Sequence, residues 1–168
     1  LCDRRQRQMC IRDSLKHFPI DKYVDFVVNR QHSAWDWTQA EQHGKWIESA
    51  YLSAVQGDDK ELLIKAESVL NRIIDSQEAN GYVGATAKSF RSPERPVRGM
   101  DAYELYFVFH AFITVYEETG DKKALTAAEK LADYFLQYFG PGKLEFWPSD
   151  LRAPENKQKH LDLSLIHI

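Results

Sequence analysis

Three short segments hold the side chains able to do chemistry. Ser33 to Trp46 reads SAWDWTQAEQHGKW and gathers Trp35, Asp36, Trp37, Glu41, His43, Lys45 and Trp46. Tryptophan faces beside carboxylates and amides suit a sugar, which offers apolar C–H faces and a rim of hydroxyls. The competing reading makes the tryptophans core anchors and Glu41 a helix cap. Arg98 to His110 reads RGMDAYELYFVFH. Here Arg98, Tyr103 and Glu104 would face the same mouth as His43, although Asp101 and Glu104 also have the spacing of a cap pair. His110, deeper in the same run, is expected in the core. In Gly81-Tyr82-Val83-Gly84 the glycines would let backbone approach a ligand that Tyr82 touches, or would simply make a turn. Trp147, in the aromatic loop LEFWP, is a weaker contact.

Other chemistries lack their signatures. GxxxxGK[ST] and GxGxxG are absent, so no phosphate loop is present, and neither is the HExxH of a zinc protease. The carboxylate pair of an ordinary glycosidase cannot be assigned from these residues.

The elements that must position these groups are helices. The first is predicted from about Gln39 to Gln56, opened by a Thr38/Glu41 capping box and closed by Gly57 in the left-handed conformation. The second follows Asp58, with Leu62, Leu63, Ala66, Val69, Leu70, Ile73 and Ile74 on one face. The third follows Asp101 and is apolar nearly all round, as a helix buried on two sides would be. Gly120 closes it. Asp121 caps the fourth, expected to turn Leu125, Ala128, Leu131, Ala132, Phe135, Leu136 and Phe139 inward. Residues 59–74 and 121–136 repeat one another at an offset of 62. Each unit is an inner helix, a tight Gly-Asp turn, an outer amphipathic helix and a long loop. The long loops, about 78–100 and 140–162, fall on one rim, where function usually sits. The expected fold is therefore all-α: a partial α/α toroid of two inner/outer hairpins. A tetratricopeptide array fits poorly, because its repeat is about 34 residues.

The 168 residues are 43% hydrophobic and 28% charged, enough apolar mass for one core. The net charge of −3 argues against a nucleic-acid partner. No run approaches the roughly 18 apolar residues of a membrane span. The two ends read as foreign. Arg4 to Asp13 (RRQRQMCIRD) ends in codons that fit ATG TGT ATA AGA GAC AG, and Leu163 to Ile168 (LSLIHI) fits CTG TCT CTT ATA CAC ATC. The second string is the reverse complement of the first together with the G that precedes it (the last base of a CAG codon for Gln8), as with a transposon adapter from a sequencing library. Residues 1–14 and 163–168 are thus expected to be adapter-encoded and 15–162 to be an internal piece of a longer protein. Without the ends, 18 basic and 23 acidic residues leave a net of −5, and neither Cys2 nor Cys10 belongs to the natural protein.

The blocks EQHGKWIESAYLSA, DSQEANGYVGA, RGMDAYELYFVFHAFITVYEETGDKKALTAAEKLADYF and FGPG, in that order, resemble glycoside hydrolase family 127, which includes the β-L-arabinofuranosidases. The resemblance implies an (α/α)6 barrel with β-sandwich domains after it, of which 15–162 would be the N-terminal part. It implies a retaining hydrolase whose nucleophile is a zinc-bound cysteine thiolate, held deprotonated by the metal. Nucleophile and metal ligands would lie beyond this stretch, so no catalytic residue, metal ligand or cofactor is expected within it. The implied partners are a carbohydrate, from plant-type glycans, and the remainder of the same chain. Trp37, Glu41, His43, Tyr82, Arg98, Tyr103 and Glu104 would line the sugar pocket. Two positions depart from the family: Tyr103 stands where characterised members carry a sugar-binding histidine, and Phe107 where a cysteine is frequent. Both imply an altered substrate pocket. The rival readings are another (α/α)6-barrel sugar enzyme, such as an unsaturated-uronyl hydrolase or a sugar 2-epimerase, and a non-catalytic helical scaffold.

Overall fold

A computed structural model describes residues 4–31, 41–97 and 101–144. They form α1 (Arg4–His17), α2 (Ile20–Val28), α3 (Glu41–Gly57), α4 (Lys60–Asp75), α5 (Asp101–Thr119) and α6 (Lys122–Tyr138), with one 3₁₀ turn over Lys88–Phe90. Among the described residues no helix is long and apolar enough to cross a membrane. The fold is all-α and toroid-like, as the hairpin repeat suggested: α3/α4 and α5/α6 are the two hairpins.

Local chemistry accounts for the ends of these helices. Asp59 and Asp121, equivalent in the repeat, both cap outer helices. The Asp59 carboxylate accepts the Leu62 amide at 3.1 Å and that of Asp121 accepts the Lys123 amide at 2.8 Å. Asp59, rather than Asp58, is therefore the cap of α4. Gly57 also departs from expectation. It ends α3 in helical conformation, and the left-handed residue is Asp58, at φ 47°. Gly120, at φ 72°, takes the left-handed position as expected. Thr38, the other half of the α3 capping box, lies outside the described residues.

The inner helices α3 and α5 run parallel. Gly44 lies against the Phe107 backbone, so close that a Cβ there would come within 2.6 Å of the Phe107 carbonyl carbon. Further along both helices, Thr114 Oγ1 donates to Glu48 at 3.4 Å. The N-termini of α3 and α5 therefore share one rim with the 78–97 loop, and the tight turns share the other. The core lies between inner and outer helices. It is built from Ile47, Ala50, Leu62, Ala66, Ile73, Leu105, Phe112 and Leu131, all at most 1% exposed. Burying each large aliphatic among these is worth about 1.5–3 kcal/mol.

The α4 stripe is as the 3.6 period predicts, with Leu62, Ala66, Val69, Leu70 and Ile73 buried. On α6 the buried line is instead Ala124, Ala127, Ala128, Leu131 and Tyr134, and Leu136 is 65% exposed. The helix is rotated from the expected stripe because it also packs on the 78–97 loop, where Tyr134 donates to the Pro96 carbonyl at 2.6 Å. The sequence reading named neither α1 nor α2. Helix α2 buries Ile20, Val24 and Val27 completely. Helix α1, most of which falls in the stretch expected to be adapter-encoded, meets the body through its end, where Trp46 Nε1 donates to the Leu15 carbonyl at 3.1 Å.

Candidate functional site

The rim of α3 and α5 presents two layers of polar side chains. The outer, partly exposed layer is Glu41, Lys45 and Tyr103. Glu41 and Lys45 stand four apart on one helix face, and Lys45 Nζ lies 2.8 Å from Glu41 Oε1. The same ammonium donates to the Tyr103 hydroxyl at 3.4 Å and sits 4.3 Å above the centre of the Phe107 ring. Tyr103 and Phe107, one turn apart, meet edge to face at 5.0 Å. Burial works against the charged Lys45, but Glu41 and then Tyr103 outweigh it and hold its pKa above the ordinary lysine value. The result is a fixed cation beside a phenol, a carboxylate and an apolar ring face. Such a surface can hydrogen-bond a sugar's hydroxyl rim and pack on its C–H face.

The inner layer is His43 and Glu104, both almost completely buried. His43 is 0% exposed, and neither ring nitrogen has a hydrogen-bond partner among the described residues. Desolvation drives its pKa down to about 3, so the ring is neutral at ordinary pH. Tyr103 and His43 thus occupy the same end of neighbouring helices, Tyr103 partly exposed and His43 buried. The first turn of α5 carries Tyr103 outward and Glu104 inward, because successive helix positions point about 100° apart.

Tyr82 is placed differently from the other pocket candidates. It is 0% exposed, and its hydroxyl donates to Asp101 Oδ1 at 2.9 Å while accepting the Thr86 amide at 3.0 Å. Thr86 Oγ1 donates to the same Asp101 oxygen at 2.8 Å. Arg91 lies over the Tyr82 ring, 3.6 Å from its centre, and pairs with Glu78. Burial, reinforced by the Asp101 charge, lifts the Tyr82 phenol well above its usual range, so it stays protonated and donates. Tyr82 therefore ties the loop to the start of α5 instead of presenting itself to a ligand. The two glycines beside it are filled by the protein's own chain. A Cβ on Gly81 would lie 2.0 Å from the Lys130 carbonyl oxygen, and one on Gly84 2.5 Å from the Tyr82 hydroxyl. The turn reading of this segment holds, with both glycines spent on packing.

Trp35, Asp36, Trp37, Arg98 and Trp147 lie outside the described residues. His110 is only partly buried and meets Tyr106 with tilted rings, their centres 4.6 Å apart. The network partners Thr86, Glu78 and Arg91 carry no local sequence signal, since they meet only once the loop folds back. Lys45 did have one, its spacing from Glu41. Among the described residues no group of three His, Cys, Asp or Glu could hold a metal ion. The described residues therefore do not fit a zinc site.

Comparisons with known proteins identify the family and the fold. The family model described as Beta-L-arabinofuranosidase, GH127 catalytic domain, matches residues 6–147. A non-reducing end β-L-arabinofuranosidase of Bifidobacterium longum subsp. longum is 29% identical over 104 residues, 58% of this chain and 16% of that protein. The solved structure of the GH127 β-arabinofuranosidase BT3674 superposes with TM-score 0.65 and 23% identity, covering 85% of this chain and 26% of that one. Ara127N, a GH127 β-L-arabinofuranosidase from Geobacillus stearothermophilus T6, does so with TM-score 0.58 and 22% identity, covering 84% and 26%. At these identities the structural likeness is one of fold. The chain spans about a sixth to a quarter of the length of these relatives.

Proposed function

We propose, from the premise that this chain belongs to the GH127 catalytic-domain family, that it is the early part of an (α/α)6 barrel in a retaining glycoside hydrolase. The parent would act on β-L-arabinofuranosides or close analogues in plant-type glycans. The family match over residues 6–147 carries this reading. Tyr103, Lys45 and Glu41 supply hydrogen bonds to the sugar and Phe107 supplies an apolar face; Trp37 and Arg98, outside the described residues, stay in this reading as further sugar contacts on sequence grounds alone. His43 and Glu104 form the floor under that surface. Tyr82 acts at one remove, by holding Asp101 and hence the first turn of α5. The nucleophile and a zinc ion belong to residues outside this stretch, so residues 15–162 alone are inactive: a binding surface without a nucleophile cannot complete glycosyl transfer. The proposed natural boundaries remain 15 and 162, with adapter-encoded residues on either side.

The test is the full parent gene, expressed and assayed on an aryl β-L-arabinofuranoside with and without a chelator. Turnover that the chelator abolishes and zinc restores is expected. No turnover on any furanoside would overturn the reading.

A further inference from the structure

Lys45 reaches across from α3 to α5 because its neighbour Gly44 has no side chain: a Cβ there would come within 2.6 Å of the Phe107 backbone. The Lys45 ammonium is then held by three groups. Glu41 Oε1 lies 2.8 Å away, the centre of the Phe107 ring lies 4.3 Å away, and the Tyr103 hydroxyl accepts a hydrogen bond at 3.4 Å. Phe107 also meets the Tyr103 ring edge to face, with centres 5.0 Å apart, so it braces both partners of that bond. An ammonium has three N–H donors and no lone pair. Glu41 and Tyr103 keep Lys45 charged, its pKa above the ordinary lysine value. Its bond to Tyr103 can therefore run one way only, into a lone pair of the phenol oxygen. The phenol proton must point elsewhere. Among the described residues it meets no acceptor, and Tyr103 is only partly buried, so a ligand can reach it.

We propose that Tyr103 is a specificity-determining donor, turned by Lys45 and Phe107 so that the sugar hydroxyl set against it must accept rather than donate. The inference rests on the reading of this rim as a sugar site. It goes further by fixing the direction of one hydrogen bond and naming the two residues that set it, which act through Tyr103. Glu41 has the opposite sense. An ionised carboxylate only accepts, so the sugar hydroxyl it meets must donate. The surface therefore selects a sugar that presents one accepting and one donating hydroxyl. A site built around hydrogen bonds of fixed direction rejects an analogue that cannot return them, because its own polar groups are then left unpaired.

The experiment uses the full parent protein and methyl β-L-arabinofuranosides in which one hydroxyl at a time is replaced by hydrogen or by fluorine. Each is measured as a competitive inhibitor of aryl β-L-arabinofuranoside hydrolysis. Fluorine can accept a hydrogen bond but cannot donate one. At one position the deoxy compound should bind about tenfold more weakly than the fluoro compound. Tyr103→Phe should erase that gap, and Lys45→Met, which frees the phenol to turn either way, should shrink it by about threefold. A change that only loosened the fold would weaken all the inhibitors alike and leave the gap in place. A ligand-free reading comes from the 168-residue chain. There NMR should find the Lys45 protons beside the ammonium shifted upfield by the Phe107 ring, and the shift should vanish in Phe107→Leu. Deoxy and fluoro compounds that bind wild type alike at every position, a gap that survives Tyr103→Phe, or unshifted Lys45 protons would overturn the proposal. A parent that neither hydrolyses nor binds any furanoside would overturn the sugar-site reading and the proposal with it, so the two failures are distinguishable.

Discussion

Acidifying the protein from pH 7 to pH 5 should destabilise it through His43. The native ring is wholly buried and its pKa lies at about 3, against 6.5 for a free histidine. Between those values the unfolded chain takes up a proton that the native chain refuses. The unfolded state binds more protons, so stability falls as pH falls. At pH 5 the native ring is still neutral, and the size of the effect is set by protonation of the unfolded chain. That protonation is worth about 2 kcal/mol between pH 7 and pH 5. His43→Leu removes the titrating ring together with the two nitrogens that have no partner among the described residues. Urea unfolding followed by circular dichroism, at both pH values, measures the difference. Wild type should lose about 2 kcal/mol more than His43→Leu on acidification, and the variant should be at least as stable at pH 7. Equal losses in the two proteins, or a native His43 ring that titrates near 6.5 by NMR, would refute the reasoning.

Three further outcomes follow from the packing. Gly44→Ala should destabilise by about 1–3 kcal/mol in a thermal melt, despite alanine's better helix propensity, because its methyl meets Phe107 backbone that cannot move aside alone. Tyr82→Phe should cost about 1–3 kcal/mol in the same assay by stripping a donor from buried Asp101 and an acceptor from the Thr86 amide; a neutral result would refute the tie between loop and α5. Asp59→Ala should cost about 1 kcal/mol, measured by urea unfolding, and Asp58→Ala less, because only Asp59 caps α4.

The fold was legible wherever a signal was local and periodic. The α4 stripe, the Asp121 cap, the Gly120 turn and the hairpin repeat all follow from short-range rules, and all stand in the structure. The errors sit where tertiary packing decided. The buried face of α6 is set by the loop under Tyr134, and the choice between Asp58 and Asp59 as cap by where α3 stops. Of the site, Glu41, His43, Tyr103 and Glu104 do gather at one rim, and the parallel inner helices explain why. Their division into an open and a buried layer could not be read from spacing alone. Tyr82 looked like a ligand contact because its glycines and phenol suit one, but its hydroxyl is committed to Asp101, nineteen residues away in sequence.

The most direct test of the proposed activity is to follow the full parent protein by proton NMR as it cleaves an aryl β-L-arabinofuranoside. The account predicts that β-configured arabinofuranose appears first and only later equilibrates with its anomer. Initial release of the α anomer would contradict it.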